Sequence, residues 1–251
     1  MELRDFFAAH PRAALAFSGG VDSAYLLYAG LQAGAEIRPY YVRTQFQPEF
    51  EYQDAMRLCA SLGVEPAVIP ADALAVETVR RNGPDRCYYC KINIMSTIIR
   101  RAAADGFTLV LDGTNASDDS GDRPGMRALT ELGALSPLRL CGLRKPEIRR
   151  LSREAGLFTW DKPAYACLAT RIRRGEEITQ ERLKKVEAAE EELFRRGYRD
   201  FRVRSRGEDA LLQVTEEQLP QAMQERAELV TCLSAWFRQV EIDPEGRGKS
   251  L

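Results

Sequence analysis

The stretch that most constrains this chain is LAFSGGVDSAYLL, residues 15–27, where two glycines join a short apolar run to a longer amphipathic one. AALAF (Ala13 to Phe17) reads as a buried strand and VDSAYLLYAGLQAG as the helix that follows. Ser18, Gly19 and Gly20 therefore lie at a strand-to-helix turn, where bare backbone N–H groups and a helix N-terminus can hold phosphate oxygens. Paired glycines let the main chain approach an anion, Ser18 and Ser23 add hydroxyl donors, and Asp22 is placed to face a magnesium ion. The plainer reading is a turn whose glycines serve only tight packing. No lysine follows the glycines, so this is not the GxxxxGK[ST] loop, and the spacing is not GxGxxG.

The same alternation continues downstream. IRPYYV (Ile37 to Val42), VEPAVIP (Val64 to Pro70) and TLVLDG (Thr108 to Gly113) read as strands. Helical stretches are expected at PEFEYQDAMRLCASLG, Ala71 to Arg80, Tyr88 to Ala104 and Pro146 to Ala155. Strand and helix in alternation imply an α/β fold, a parallel sheet with helices on its faces. Gly34, Gly63, Gly106 and Gly156 sit where helices should stop. After Gly156 the period is lost until TQERLKKVEAAEEELFRRG, a helix opened by Thr179. The boundary is read near Arg171 to Glu177, giving a nucleotide domain at 1–173 and a smaller α+β domain at 174–251. In the latter, FRVRSRG, DALLQVT and RQVEID are strands, and EEQLPQAM and ERAELVTCLSAWF are helices.

Thirty-six Lys and Arg nearly cancel 37 Asp and Glu, so no global field favours a polyanion such as nucleic acid. The first residues carry charges at Glu2, Arg4 and Asp5, and no run approaches the roughly 20 apolar residues of a membrane span, so a cytosolic location is expected. In a reducing compartment the six cysteines are thiols, ligands or nucleophiles rather than disulfides, and the single His10 excludes a site built on several imidazoles.

Cys87 and Cys90, in RCYYCK, have the C-x-x-C spacing, with Arg86 and Lys91 beside them and a helix following. A metal pair, a redox pair and two buried thiols all remain open from this segment alone. Cys167, in KPAYACLATRIRRG, lies in a proline-interrupted stretch with Lys162, Arg171, Arg173 and Arg174, the electropositive setting that makes a thiolate reactive. Cys59, Cys141 and Cys232 read as packing residues. Arg202 and Arg204 lie two apart on one strand face and can grip a phosphate together, or form a solvated basic face.

The SGGVDS string resembles the PP-loop of the N-type ATP pyrophosphatases. That resemblance implies a Rossmann-like sheet with ATP and Mg2+ at the carboxyl ends of its strands, bound through Ser18, Gly19, Gly20, Val21, Asp22 and Ser23. Val42 and Thr44 would line the adenine, and Asp112, Gly113, Thr114 and Asn115 would lie at the same edge; Asp112 or Asn115 serves the pyrophosphate or merely an Asx turn. Taken with RCYYCK, LDGTNASDDSGDRPGMRAL, SPL, KPEIR, WDKPAYACLATRI and FRVR, nearly the whole chain resembles the ATP-dependent sulfur transferase family LarE.

This resemblance implies adenylation of a carboxylate of pyridinium-3,5-biscarboxylic acid mononucleotide, then sulfur insertion, in nickel-pincer nucleotide biosynthesis. In one branch the cysteine matching Cys167 gives up its own sulfur. This sequence looks like the other branch, in which Cys87, Cys90 and Cys167 hold a [4Fe-4S] cluster with one iron open for extra sulfide. Cys167 and Asp22 are then the catalytic candidates, and Arg202, Arg204 and Arg171 the substrate-binding ones, with Trp160 and Asp122 weaker. A homo-oligomer is implied, with no membrane partner and an unspecified sulfur donor. A tRNA thiolase with the same three-cysteine cluster is the alternative; a non-catalytic nucleotide or metal module and an ammonia-using amide synthetase stand further off.

Overall fold

The computed structural model describes residues 1–118 and 124–248. In chain order these form α1 (Leu3–Ala9), β1 (Arg12–Ala16), α2 (Val21–Gln32), β2 (Glu36–Arg43), α3 (Glu49–Ser61) and β3 (Ala67–Pro70). Next come α4 (Glu77–Arg80), α5 (Arg86–Ala104), β4 (Val110–Leu111), α6 (Pro124–Glu131), α7 (Pro137–Leu140) and α8 (Lys145–Glu154). Two short 3-10 turns, Phe158–Asp161 and Leu168–Arg171, precede α9 (Gln180–Arg195), β5 (Arg202–Arg206), β6 (Asp209–Gln213), α10 (Leu219–Gln224), α11 (Arg226–Leu233) and β7 (Val240–Ile242).

The chain packs as two units. The first comprises Met1–Thr44, Glu49–Asp72 and Cys87–Lys162. Its sheet has the order β3-β2-β1-β4, all parallel, with Ala14 opposite Val110 and Ala16 opposite Tyr40. Side chains alternate between two cores: Ala13, Leu15, Ile37 and Tyr41 pack with α2 and α3 residues on one face, Ala14, Tyr40 and Val42 with α5 residues on the other. Burial on both faces explains why these strands are apolar almost throughout. From β1 the chain winds outward to β3 and then crosses to β4 on the opposite side of β1. That reversal opens a crevice at the carboxyl ends of β1 and β4, the place where open α/β sheets bind ligands.

The second unit comprises the chain from Pro163 onward together with Gln45–Pro48 and Ala73–Arg86. Its sheet runs β5-β6-β7, with β5 and β6 antiparallel and β7 parallel to β6. The two excursions are stitched in by polar bonds: Asn82 Nδ2 donates to the Arg173 carbonyl at 2.9 Å, and Leu168 N donates to the Phe46 carbonyl at 2.9 Å. The long run of the first unit thus ends at Lys162, upstream of the boundary read from the sequence, because 163–173 is bonded to second-unit residues.

The strands, α2, α5, α8 and α9 fall where periodicity puts them, and Gly34, Gly63, Gly106 and Gly156 all have positive φ. Thr179 caps α9 by accepting the Arg182 N–H. The helix expected over 71–80 is shorter, beginning only at Glu77; Ala73 N instead donates to the Gln45 side chain. Among the described residues no helix is long and apolar enough to cross a membrane.

Candidate active site

The SGGVDS loop is shaped by steric necessity. Gly19 has φ +74°, and a Cβ there would lie 2.7 Å from the Ala55 Cβ on α3, so both conformation and space demand glycine. Ser18 and Ser23 hydroxyls lie 3.2 Å apart, and Ser23 Oγ donates to the Gly20 carbonyl, closing the loop on itself. Gly20 is the N-cap of α2 and brings no capping side chain. The first N–H groups of α2, those of Val21, Asp22 and Ser23, are thus left for an anion to satisfy.

A cavity of about 210 Å³ opens here, lined by Ser18, Gly20, Asp22 and Ser23 on one side and by Asp112, Gly113, Thr114, Asp118 and Lys91 around them. Gly113 is needed for close approach, since a Cβ there would lie 3.0 Å from the Ser23 nitrogen. Asp112 accepts from Thr114 N and from Ser136 Oγ, and Asn115 accepts from Ser117 N. Both therefore build Asx-type turns, and Asp112 and Asp118 both line the cavity with Asp22, Asp118 accepting from the Asn115 N–H at 2.9 Å. Val42 packs in the core under α5, and Thr44 is buried just past β2. Asp122 lies outside the described residues.

Asp22 carries the strongest electrostatic signature in the cavity. Its Oδ2 accepts from Lys145 Nζ at 2.6 Å, while its Oδ1 is buried without a hydrogen-bond partner. Burial pushes its pKa above the ordinary carboxylate range, Lys145 pulls it down, and Asp118 raises it again. Lys145, at the start of α8 and tied by its backbone N–H to Ser117 Oγ, is a site residue that motif reading passed over. Its signal in the sequence is the KPEIR string, whose proline at the first turn marks a helix start. An orphaned carboxylate oxygen beside a second acidic residue fits a magnesium ion in donor chemistry.

Cys87 and Cys90 lie in the first two turns of α5. On a helix Cys87, Cys90, Lys91 and Met95 share one face, and Lys91 and Met95 line the cavity. Cys87 thus precedes the cavity-lining Lys91 by one helical turn and Cys90 precedes it by one residue, though neither thiol lines the cavity itself. Cys87 is exposed and Cys90 half-buried, and neither is in a disulfide. Cys167 belongs to the second unit, half-buried, its carbonyl accepting from Thr170 N and Oγ1. As donors these thiols suit iron; among the described residues, however, no group of three or more His, Cys, Asp or Glu forms a ready metal site. Cys59 is fully buried, its thiol pushed up to about 12 by burial, in keeping with a packing role.

The second unit gathers four arginines around two carboxylates. Arg171, 1% exposed, donates from Nε and Nη2 to Glu190 at 2.8 and 3.1 Å and from Nη1 to the Ala166 carbonyl. Tyr165 also donates to Glu190, with Arg171 stacked on its ring at 4.4 Å. Arg202 donates to the carbonyls of Ala164 and Phe201, and Arg204 to the Thr170 carbonyl and Gln213. Arg247 pairs with Asp200, which Arg202 also reaches. Burial, then Arg171 and Arg247, lower Arg202 to about 10 and depress Arg204 as well. Crowded cations of this kind are relieved by an anion. Arg171 itself is committed to holding the Cys167 loop, whereas Trp160 lies under the Arg153 guanidinium at 4.9 Å in the first unit.

The reversed parallel sheet, the uncapped SGGVDS turn and the acidic cavity beside it define a PP-loop protein of the ATP pyrophosphatase superfamily. No family model matches the chain. It is 38% identical over 250 residues to an uncharacterized protein of Synechocystis sp., covering 97% of this chain and 92% of that one. Over 210 residues it is 31% identical to the pyridinium-3,5-bisthiocarboxylic acid mononucleotide synthase of Lactiplantibacillus plantarum, 83% and 76% of the two chains. A tRNA-specific 2-thiouridylase of Thermotoga sp. is 24% identical over 190 residues, 59% of this chain and 53% of that one. The chain belongs to the LarE family of sulfur transferases.

Proposed function

We propose that this protein is an ATP-dependent sulfurtransferase that adenylates a carboxylate of pyridinium-3,5-biscarboxylic acid mononucleotide, releases pyrophosphate, and replaces carboxylate oxygen with sulfur in nickel-pincer nucleotide biosynthesis. The observation that carries this reading is the start of α5, where Cys87 stands one turn and Cys90 one residue before Lys91, which lines the cavity at the SGGVDS loop. A thiol pair beside an ATP-cleaving loop matches a reaction that activates with phosphate chemistry and finishes with sulfur.

A carboxylate is a poor electrophile, and attack of its oxygen on the α-phosphorus of ATP gives it AMP as a leaving group. The α2 N–H groups and the Ser18 and Ser23 hydroxyls hold the polyphosphate, while Lys91 and the Asp22-paired Lys145 offer positive charge where it departs. Asp22 and Asp118 would hold magnesium, which supplies charge neutralisation on the phosphates when bound. Arg202 and Arg204, with Arg247, grip the mononucleotide phosphate, and Arg171 fixes the loop of Cys167. Cys87, Cys90 and Cys167 would hold a [4Fe-4S] cluster, which supplies an exchangeable sulfide when bound.

The test is AMP and pyrophosphate release from ATP with the pyridinium dicarboxylate mononucleotide as acceptor, together with mass detection of the thiocarboxylate. Acceptor-dependent AMP formation and a mass gain of sulfur for oxygen are expected. Release with thiolation of tRNA, and none with the mononucleotide, overturns the reading in favour of the thiolase one.

A further inference from the structure

Lys162 is the last residue of the first unit before the chain runs through Pro163 to Cys167, five positions on. Its side chain is 14% exposed, an unusual place for a lysine. Nζ lies 2.7 Å from Asp54 Oδ2, 3.2 Å from Glu51 Oε1 and 5.6 Å from the centre of the Phe50 ring. All three partners belong to α3, the helix whose Ala55 abuts Gly19 of the PP-loop. From the other side, one guanidinium takes hold of the backbone: Arg149 Nη1 donates to the Trp160 carbonyl at 2.6 Å and Nη2 to the Lys162 carbonyl at 2.9 Å. Arg149 is on α8, which begins with Lys145, the ammonium seated on Asp22.

One residue is thus gripped by the helix behind the PP-loop and by the helix that brings a cation into its cavity. An immobilised lysine gives up rotamer freedom, and a well-exposed ion pair would scarcely offset that. Here the ammonium is largely withdrawn from water between two carboxylates. Cys167 follows Lys162 by five residues of continuous chain, so a restraint at Lys162 reaches its segment through the backbone.

We propose that Lys162 is a positioning residue for sulfur transfer, pinning the root of the Cys167 segment to α3 and α8. The role matters to catalysis only if Cys167 serves sulfur transfer as proposed above. Its defining consequence, a restrained Cys167, is independent of turnover.

The experiment is peptide-resolved alkylation by N-ethylmaleimide of the nucleotide-free protein. In Lys162→Met the Cys167 rate is expected to rise about fivefold or more while Cys87 and Cys90 stay within about twofold, because reactivity follows access of the thiolate. Lys162→Arg restores the wild-type rate, and Asp54→Asn, which keeps the Glu51 pair, gives a smaller rise. In turnover, AMP release should stay within about threefold and thiocarboxylate formation fall about tenfold, the split expected of a residue acting after adenylation. An unchanged Cys167 rate in Lys162→Met and Asp54→Asn, or equal acceleration of all three cysteines, overturns the proposal. Should Lys162→Met fail to fold, Asp54→Asn and Arg149→Lys carry the same comparison. A wild-type protein that forms no AMP counts against the sulfurtransferase reading alone, since alkylation is read without nucleotide.

Discussion

Asp22 is held between opposed influences, and its behaviour with pH follows from their signs. Burial disfavours the carboxylate and raises its pKa; the Lys145 ammonium at 2.6 Å favours it and draws the value back. Because the folded value remains above the ordinary one, ionised Asp22 subtracts stability at neutral pH, and that cost fades as pH falls through the folded pKa. Function runs the other way, since only the ionised form can face a cation or pair with Lys145. Replacing Lys145 by Met removes the influence that lowers the pKa. The acid limb of kcat/KM for ATP should therefore move to higher pH, and KM for ATP should rise about tenfold with loss of one charge-assisted contact. A pH profile of pyrophosphate release checks both. An unshifted limb would mean that Asp22 does not titrate in the step observed.

Among the elements, α9 and β5 show how the Cys167 loop is held by structure distant in sequence. Glu190 on α9 accepts from Arg171, from Tyr165 and from the Val203 backbone N–H of β5, so one buried carboxylate ties helix, strand and the Cys167 loop together. Removing one partner of a buried pair leaves the other charge unpaired, so Glu190→Ala should cost about 3–5 kcal/mol in urea unfolding, and Glu190→Gln less. Both variants should also loosen Cys167 toward alkylation. This network explains what was legible beforehand. The periods of β1, α2, β2 and α9, and the stop signals at Gly34 and Gly156, are local and were readable. So was SGGVDS, because a turn between strand and helix is a local event. Arg171 could be recognised as a charge near Cys167, but not as the partner of Glu190 nineteen positions away. The same holds for Lys145 on Asp22, 123 positions apart, and for the short helices α1 and α7, too brief to show a period.

At the scale of the whole molecule, the near-cancellation of 36 basic and 37 acidic residues bears on which sulfur acceptor the chain takes. A thiolase must collect a polyanion, and its binding weakens steeply with salt as phosphate contacts release counterions. Here the buried arginines are Arg171 and Arg202, with Arg204 and Arg247 half-buried in the same unit, a scale suited to one phosphate group. The same scale governs the sulfur chemistry. Cys87 and Cys90 belong to the first unit and Cys167 to the second. If all three serve one [4Fe-4S] cluster, each is indispensable to its retention, while a packing cysteine is not. Anaerobically purified protein should then carry about four iron and four acid-labile sulfide per chain. Both should be lost in Cys87→Ala, Cys90→Ala and Cys167→Ala and kept in Cys232→Ala. A fully loaded Cys167→Ala protein would remove that residue from the ligand set. Zinc without sulfide would remove the cluster altogether, and conversion of Cys167 to dehydroalanine during turnover would show that the protein spends its own sulfur.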